Sequence, residues 1–212
     1  MNSIITNFEQ IKSLINNNKT NIIAVSKSFQ YDHIRPLVDY GHKHFGENKV
    51  QEAIIKWSKI KDQIPEINLH MIGRLQSNKA KDAIKLFDYI HSLDNFKLAN
   101  LLAKFEKSLN LKRKYFIQIN IGNENQKSGI KIEQIDEFYT YCTKTLKLNI
   151  IGLMAIPPVD DNVNQYFKLL LELNKSLGLV ELSMGMSADF KEALKYKTTF
   201  VRIGSAIFGR RS

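Results

Sequence analysis

Eight short apolar runs, each followed by a segment with helical spacing, succeed one another along the chain with no linker between them. The runs fall at residues 22–26, 42–45, 69–72, 89–93, 114–120, 150–155, 180–183 and 199–203. β-Branched and aromatic residues dominate them, most clearly in Tyr115-Phe116-Ile117-Gln118-Ile119, and that composition predicts buried strands. The intervening segments carry apolar residues three and four apart, as in Ile34, Leu37 and Val38, or in Val50, Ile54 and Ile55. That spacing predicts helices, which continue at 80–86, 95–109, 132–146, 163–177 and 189–194. A leading helix over 4–16 precedes the first strand, with Ile4, Ile5, Phe8, Ile11 and Ile15 on one side. Eight strands alternating with helices imply a parallel sheet closed into a single (β/α)8 TIM barrel over residues 1–212. An open doubly wound sheet is the alternative. Little chain follows the eighth strand, so the leading helix is expected to cover that flank.

Composition narrows the class. A hydrophobic fraction of 43% and a charged fraction of 25% are ordinary for a globular protein. No apolar run approaches the roughly 18 residues of a membrane span, and Met1-Asn2-Ser3 opens no signal-peptide pattern. The one cysteine, Cys142, excludes an internal disulfide and fits a reducing compartment, so the chain reads as cytoplasmic. Its place in a helical stretch suggests a packed apolar side chain. The net charge of +10 raises nucleic acid as a partner. The lysines are dispersed, however, and no block of five or six like charges occurs. Nucleic-acid binding is therefore not the expected role.

A barrel concentrates its chemistry at the C-terminal ends of its strands. Those ends carry Lys27, Gly46-Glu47-Asn48, Gly73-Arg74-Leu75-Gln76, Asn120, Met154, Gly185-Met186-Ser187 and Gly204-Ser205. Lys27 ends the apolar run Ile22-Ile23-Ala24-Val25. A lysine there must be solvated, paired or deprotonated. In a dry site the free amine is a nucleophile that forms a Schiff base with an aldehyde; the competing reading is a solvated loop lysine. The last two strand ends place glycine beside hydroxyl residues, where backbone N–H groups converge on an anion. The loops after strands seven and eight are the recurrent phosphate site of the fold.

A phosphate cup and a Schiff-base lysine at one barrel mouth describe pyridoxal 5'-phosphate (PLP). Its aldehyde would meet Lys27, and its phosphate Ser187, Gly204 and Ser205. Arg202 shares a strand face with Gly204 and would approach the pyridine ring, with a salt bridge inside the barrel as its alternative role. A metal centre is the rival chemistry, because His42 and His44 are two apart and share a strand face. Further ligands at other strand ends are not evident, since His70 and His91 fall early in their strands. Partly solvated histidines are the expectation, with no metal.

Seven segments carry a family resemblance: Val25-Ser26-Lys27, Phe45-Gly46-Glu47-Asn48, His70-Met71-Ile72-Gly73-Arg74-Leu75-Gln76-Ser77-Asn78-Lys79, Lys127-Ser128-Gly129, Gly152-Leu153-Met154-Ala155-Ile156-Pro157, Leu182-Ser183-Met184-Gly185-Met186-Ser187-Ala188-Asp189 and Val201-Arg202-Ile203-Gly204-Ser205. Together they resemble the PLP homeostasis protein family, along nearly the whole chain and in order. Ser28 and Ser205 stand where that family commonly has threonine, and both keep a hydroxyl. The family is similar to the barrel domain of alanine racemase, PLP fold-type III, without its second domain. The resemblance implies that Lys27 carries the internal aldimine and that Arg202 faces the pyridine nitrogen. It implies that Ser187, with the backbone at Gly204 and Ser205, holds the phosphate, and that Asn48 and Met154 line the pocket. A turn-capping amide and a barrel-core filler are their alternative roles.

Function follows with an open choice. An arginine cannot keep the pyridine nitrogen protonated as a carboxylate does, and a racemase needs a second base opposite the lysine. The first expectation is a monomeric PLP carrier in intracellular vitamin B6 homeostasis, buffering PLP or delivering it to apo PLP-dependent enzymes. The alternative is a PLP enzyme with weak amino-acid racemase activity. Loop lysines such as Lys127 leave a second PLP site open.

Overall fold

A computed structural model of the protein describes residues 2–15, 19–124, 128–158 and 162–209. Eight parallel strands close on themselves in sequence order. They are β1 (Asn21–Val25), β2 (His44–Glu47), β3 (Asn68–Met71), β4 (Tyr89–Leu93), β5 (Lys114–Ile119), β6 (Asn149–Ala155), β7 (Glu181–Met186) and β8 (Phe200–Ile203). The ring is sealed where Ile22, Ile23 and Ala24 pair with Val201, Arg202 and Ile203. The expected barrel is present, and the open-sheet alternative is excluded.

Around it run α1 (Ser3–Ile15), α2 (Tyr31–Asp39), α3 (Val50–Gln63), α4 (Ala80–Leu86), α5 (Phe96–Leu109), α6 (Ile135–Thr140), α7 (Val163–Ser176), α8 (Phe190–Leu194) and α9 (Ser205–Phe208). The helix expected over 132–146 is divided: a 3₁₀ turn Ile132–Gln134 precedes α6, and a π-helical turn Tyr141–Thr145 follows it. The second strand starts two residues later than its apolar pattern suggests and runs on through Glu47. Pairing with β3 sets that register, His44 opposite Asn68 and Glu47 opposite Met71.

Strand alternation sorts the apolar residues into two layers. Ile22 and Ala24 face outward and join Phe45, Trp57, Leu69 and the helix stripes in the layer between strands and helices. Ile23 faces inward and meets Tyr89, Phe116, Met154 and Phe200 in the barrel interior. Gly152 lets β6 approach β7, because a Cβ there would stand 2.0 Å from the Glu181 carbonyl oxygen. Cys142 is fully buried, and burial pushes its thiol up to about 12, consistent with a packed apolar side chain. Helix α1 packs against α9, α8 and α2, and Asn7 Nδ2 donates to the Ile207 carbonyl at 3.1 Å. It thus stands beside the flank that the short α9 leaves uncovered. Among the described residues no helix is long and apolar enough to cross a membrane.

Candidate cofactor-binding site

The C-terminal ends of β1, β2, β7 and β8 surround a cavity of about 570 Å³. Six of the seven expected site residues line it: Lys27, Asn48, Ser187, Arg202, Gly204 and Ser205. Val25, Phe29, Ile72, Ile156 and Met186 supply an apolar wall. Met154 does not line it; its side chain is fully buried among Ile23, Phe116 and Phe200 in the barrel interior. The barrel-filling role is the one the structure gives it. A second expectation, the loop lysine Lys127, lies outside the described residues.

Lys27 occupies a tight turn just past β1 and is half-buried. The next residue, Ser28, adopts φ 68°, a left-handed conformation uncommon for a residue with a Cβ. Ser26, on the other side, is clamped. Its hydroxyl donates to Glu47 Oε1 at 2.7 Å, and its carbonyl accepts from Lys56 Nζ at 2.7 Å. The same Glu47 oxygen accepts from Lys56 Nζ at 2.8 Å and from Trp57 Nε1 at 2.9 Å. Glu47 is fully buried, and its Oε2 has no hydrogen-bond partner. A buried carboxylate is tolerated only when paired, so this cluster fixes the backbone that presents Lys27. Lys56→Met is expected to destabilise the protein by about 3–5 kcal/mol, read from urea unfolding; a loss under about 1 kcal/mol, typical of surface pairs, would dismiss the clamp.

The opposite side of the cavity is built for an anion. Met186 N donates to Asp189 Oδ1 at 2.6 Å and Asp189 N to the Met186 carbonyl at 3.1 Å. That turn leaves the amides of Ser187 and Ala188 outside its own hydrogen bonds. In α9 the first intrahelical donors are Ile207 and Phe208, both to Gly204 O at 2.9 Å, so the amides of Ser205 and Ala206 precede the helix's own ladder. Asn48 is positioned by Gly73, since a Cβ on Gly73 would meet the Asn48 carbonyl oxygen at 2.4 Å.

Arg202 projects from β8 and is 4% exposed. Nη1 donates to Ser183 Oγ at 2.7 Å and Nη2 to the Ala155 carbonyl at 2.9 Å. Burial lowers its pKa to about 10, against the opposing charge of Asp189, so the guanidinium stays charged at neutral pH. The barrel salt bridge considered for it is replaced by these neutral acceptors.

The histidines depart from expectation. His70 and His91 are fully buried rather than partly solvated. His42 donates from Nε2 to the His44 carbonyl at 2.9 Å, while His44 Nδ1 lies 2.9 Å from His70 Nε2. Among the described residues no group of three or more His, Cys, Asp or Glu side chains is arranged to hold a metal.

The donor set matches what PLP presents. A lysine amine suits its aldehyde, a guanidinium its ring nitrogen, and hydroxyls with free amides its phosphate. The cavity falls within the roughly 300–1,000 Å³ of small-ligand sites. Fold and site together define a barrel of the alanine racemase type.

The family model for the alanine racemase N-terminal domain matches residues 1–212. The pyridoxal phosphate homeostasis protein of Aquifex aeolicus (strain VF5) is 37% identical over 203 residues, covering 92% of this chain and 88% of the relative. PipY of Synechococcus elongatus PCC7942 superposes with TM-score 0.91 without PLP, at 32% identity over 97% of this chain and 100% of PipY. Its form with PLP bound gives TM-score 0.89 at 31% identity over the same shares. Alanine racemase of Clostridium difficile 630 gives 0.79 at 16% identity, over 100% of this chain and 57% of the racemase, a likeness in fold alone. The chain belongs to the alanine racemase N-terminal-domain family and, within it, to the pyridoxal phosphate homeostasis proteins.

Proposed function

We propose that the protein binds PLP in this cavity, carries it covalently on Lys27 as a Schiff base, and buffers or delivers it within the cytoplasm. The observation that carries the reading is the convergence of Lys27, Arg202, Ser187 and Ser205 on one cavity. The relatives named for PLP homeostasis and the PLP-bound PipY support it. Apo PLP-dependent enzymes are the proposed recipients, and a monomer suffices because one chain supplies the whole donor set. Carriage is favoured over catalysis by the make-up of the wall. Among the described residues lining the cavity, the titratable side chains are Lys27 and Arg202. Racemisation requires a second base opposite the lysine, and Arg202, charged at neutral pH, does not supply one.

The test compares PLP with pyridoxal, which lacks the phosphate. Charge-assisted hydrogen bonds contribute about 1.5–3 kcal/mol each. Replacing Ser187 and Ser205 by alanine together is therefore expected to weaken PLP at least about tenfold while leaving pyridoxal affinity nearly unchanged. Equal weakening of the two ligands in spectral titrations would remove the phosphate cup from the reading.

A further inference from the structure

Below Arg202 the barrel axis is occupied by polar rings. Ser183 Oγ lies 2.9 Å from His91 Nδ1, His91 Nε2 lies 2.9 Å from His70 Nδ1, and His70 Nε2 lies 2.9 Å from His44 Nδ1. Apolar rings pack against them: Phe116 stacks on His91 at 4.2 Å and Tyr89 on His70 at 4.3 Å. The row therefore runs from Arg202, at the cavity, to the half-buried His44 at the other end of the interior.

Proton counting gives the row one direction. Burial holds His70 and His91 far below their ordinary pKa and lowers His44 to about 4, so each ring is neutral with a single N–H. Arg202 is always a donor, and it occupies one acceptor site of Ser183. Two arrangements remain. In one, Ser183 O–H donates to His91 Nδ1, His91 Nε2–H to His70 Nδ1, and His70 Nε2–H to His44 Nδ1. Every buried proton then has an acceptor, and His44 keeps its own proton on Nε2. In the other, each donor is reversed, and Ser183 accepts from both Arg202 and His91. Its own O–H is then left without a partner in a fully buried place, which is unfavourable. Donation from the guanidinium also polarises the Ser183 hydroxyl and strengthens it as a donor.

We infer that Ser183, His91, His70 and His44 form a directionally locked hydrogen-bond row that acts as a set of positioning residues for Arg202, holding its guanidinium towards the cofactor ring. This rests on the proposed place of Arg202 beside bound PLP. Ser183 keeps a lone pair on Nη1 because His91 takes its proton, and the two lower rings fix the tautomer of His91. None of the four lines the cavity, so each acts through Arg202.

The first measurement needs no PLP. Long-range ¹H–¹⁵N spectra of the histidine rings in the wild-type protein at pH 7 are expected to show His44, His70 and His91 all as Nε2–H tautomers. An Nδ1–H form at His91, or rapid tautomer averaging there, would overturn the row. In Arg202→Met the lock is removed, and the Nδ1–H form of His91 is expected to appear; an unchanged pattern would overturn Arg202 as its source. The second measurement uses PLP. His91→Phe keeps the ring stack but cannot accept from Ser183, and it is expected to raise the PLP Kd about tenfold and shift the pH at which the bound chromophore changes. His91→Asn, which retains an acceptor, is expected to recover most of both. A folded His91→Phe protein with wild-type affinity and chromophore would overturn the positioning role. If the wild-type protein takes up no PLP, the pocket reading and the positioning role fall together, while the tautomer spectra still decide the direction of the row.

Discussion

Lys27→Ala is expected to abolish covalent capture of PLP. In the wild-type protein the amine and the aldehyde are expected to condense with loss of water, and borohydride would then deliver hydride to the resulting C=N bond. The product is a stable secondary amine, a phosphopyridoxyl group that peptide mass spectrometry is expected to find on Lys27. Label spread over surface lysines, with Lys27 unmodified, would defeat the assignment. The effect is close to all-or-none, because no other lysine lines the cavity among the described residues. Lys27→Arg keeps the charge without a condensing amine and is expected to behave like Lys27→Ala. The loaded wild-type protein also separates carrier from enzyme. Incubated with alanine in deuterated water, it is expected to leave the α-proton unexchanged, since an arginine beside the ring nitrogen makes a weak electron sink and the described residues of the cavity wall offer no second base. Sustained exchange that depends on Lys27 would promote the racemase alternative.

Acid is expected to unfold this protein while its carboxylates are still ionised. Burial lowers His42 and His44 from 6.5 to about 4, and holds His70 and His91 well below their ordinary value. Neighbouring positive groups push the same way, Lys114 at His44 and Arg202 at His91. The unfolded chain therefore binds more protons than the folded one below pH 6.5, and stability falls as pH falls from there towards 4. His42 and His44 each withdraw on the order of 2 kcal/mol between pH 7 and pH 5, and the two deeper rings add to that. A domain has about 5–15 kcal/mol in total. Urea unfolding at pH 7, 6 and 5 is expected to show a steep decline, with proton uptake on unfolding at pH 5. A flat stability across that range would mean that the rings accept protons in the folded state.

The eightfold alternation was readable because each strand of a closed barrel is buried on both faces and so becomes an apolar run. Lys27, Ser187, Arg202, Gly204 and Ser205 were readable because the fold brings strand ends to one mouth. Met154 shows where that logic stops. It sits near a strand end, but the register slips between Tyr115 and Phe116 where β5 pairs with β6, and no spacing in sequence announces such a slip. Glu47 shows a second limit. It looked like the polar close of a strand, whereas it is a buried residue inside one, made tolerable by Lys56 and Trp57 a few turns later. The histidines show a third. Each is ordinary in its own strand, and only the pairing register of β2, β3 and β4 brings His44, His70 and His91 within hydrogen-bond reach across three strands. The apolar wall was hidden for a related reason, since Val25 and Ile72 read as strand interior until the cavity is seen. Val25 alone carried a hint, being the last residue of β1 and two residues before Lys27.

The packing of α1 against α8 and α9 joins pieces from opposite ends of the described chain. During translation the apolar side of α1 (Ile4, Phe8, Ile11 and Ile15) and the open edge of β1 emerge before the rest of the barrel. Their partners leave the ribosome only after the other strands of the barrel. At about 5–20 residues per second, synthesis of the stretch from β1 to β8 takes roughly 10–35 s. For most of that time the nascent sheet has two unpaired edges, which are sites for association with other chains. Ring closure consequently waits for β8, and nascent chains stalled before it have an adhesive edge that the closed barrel does not.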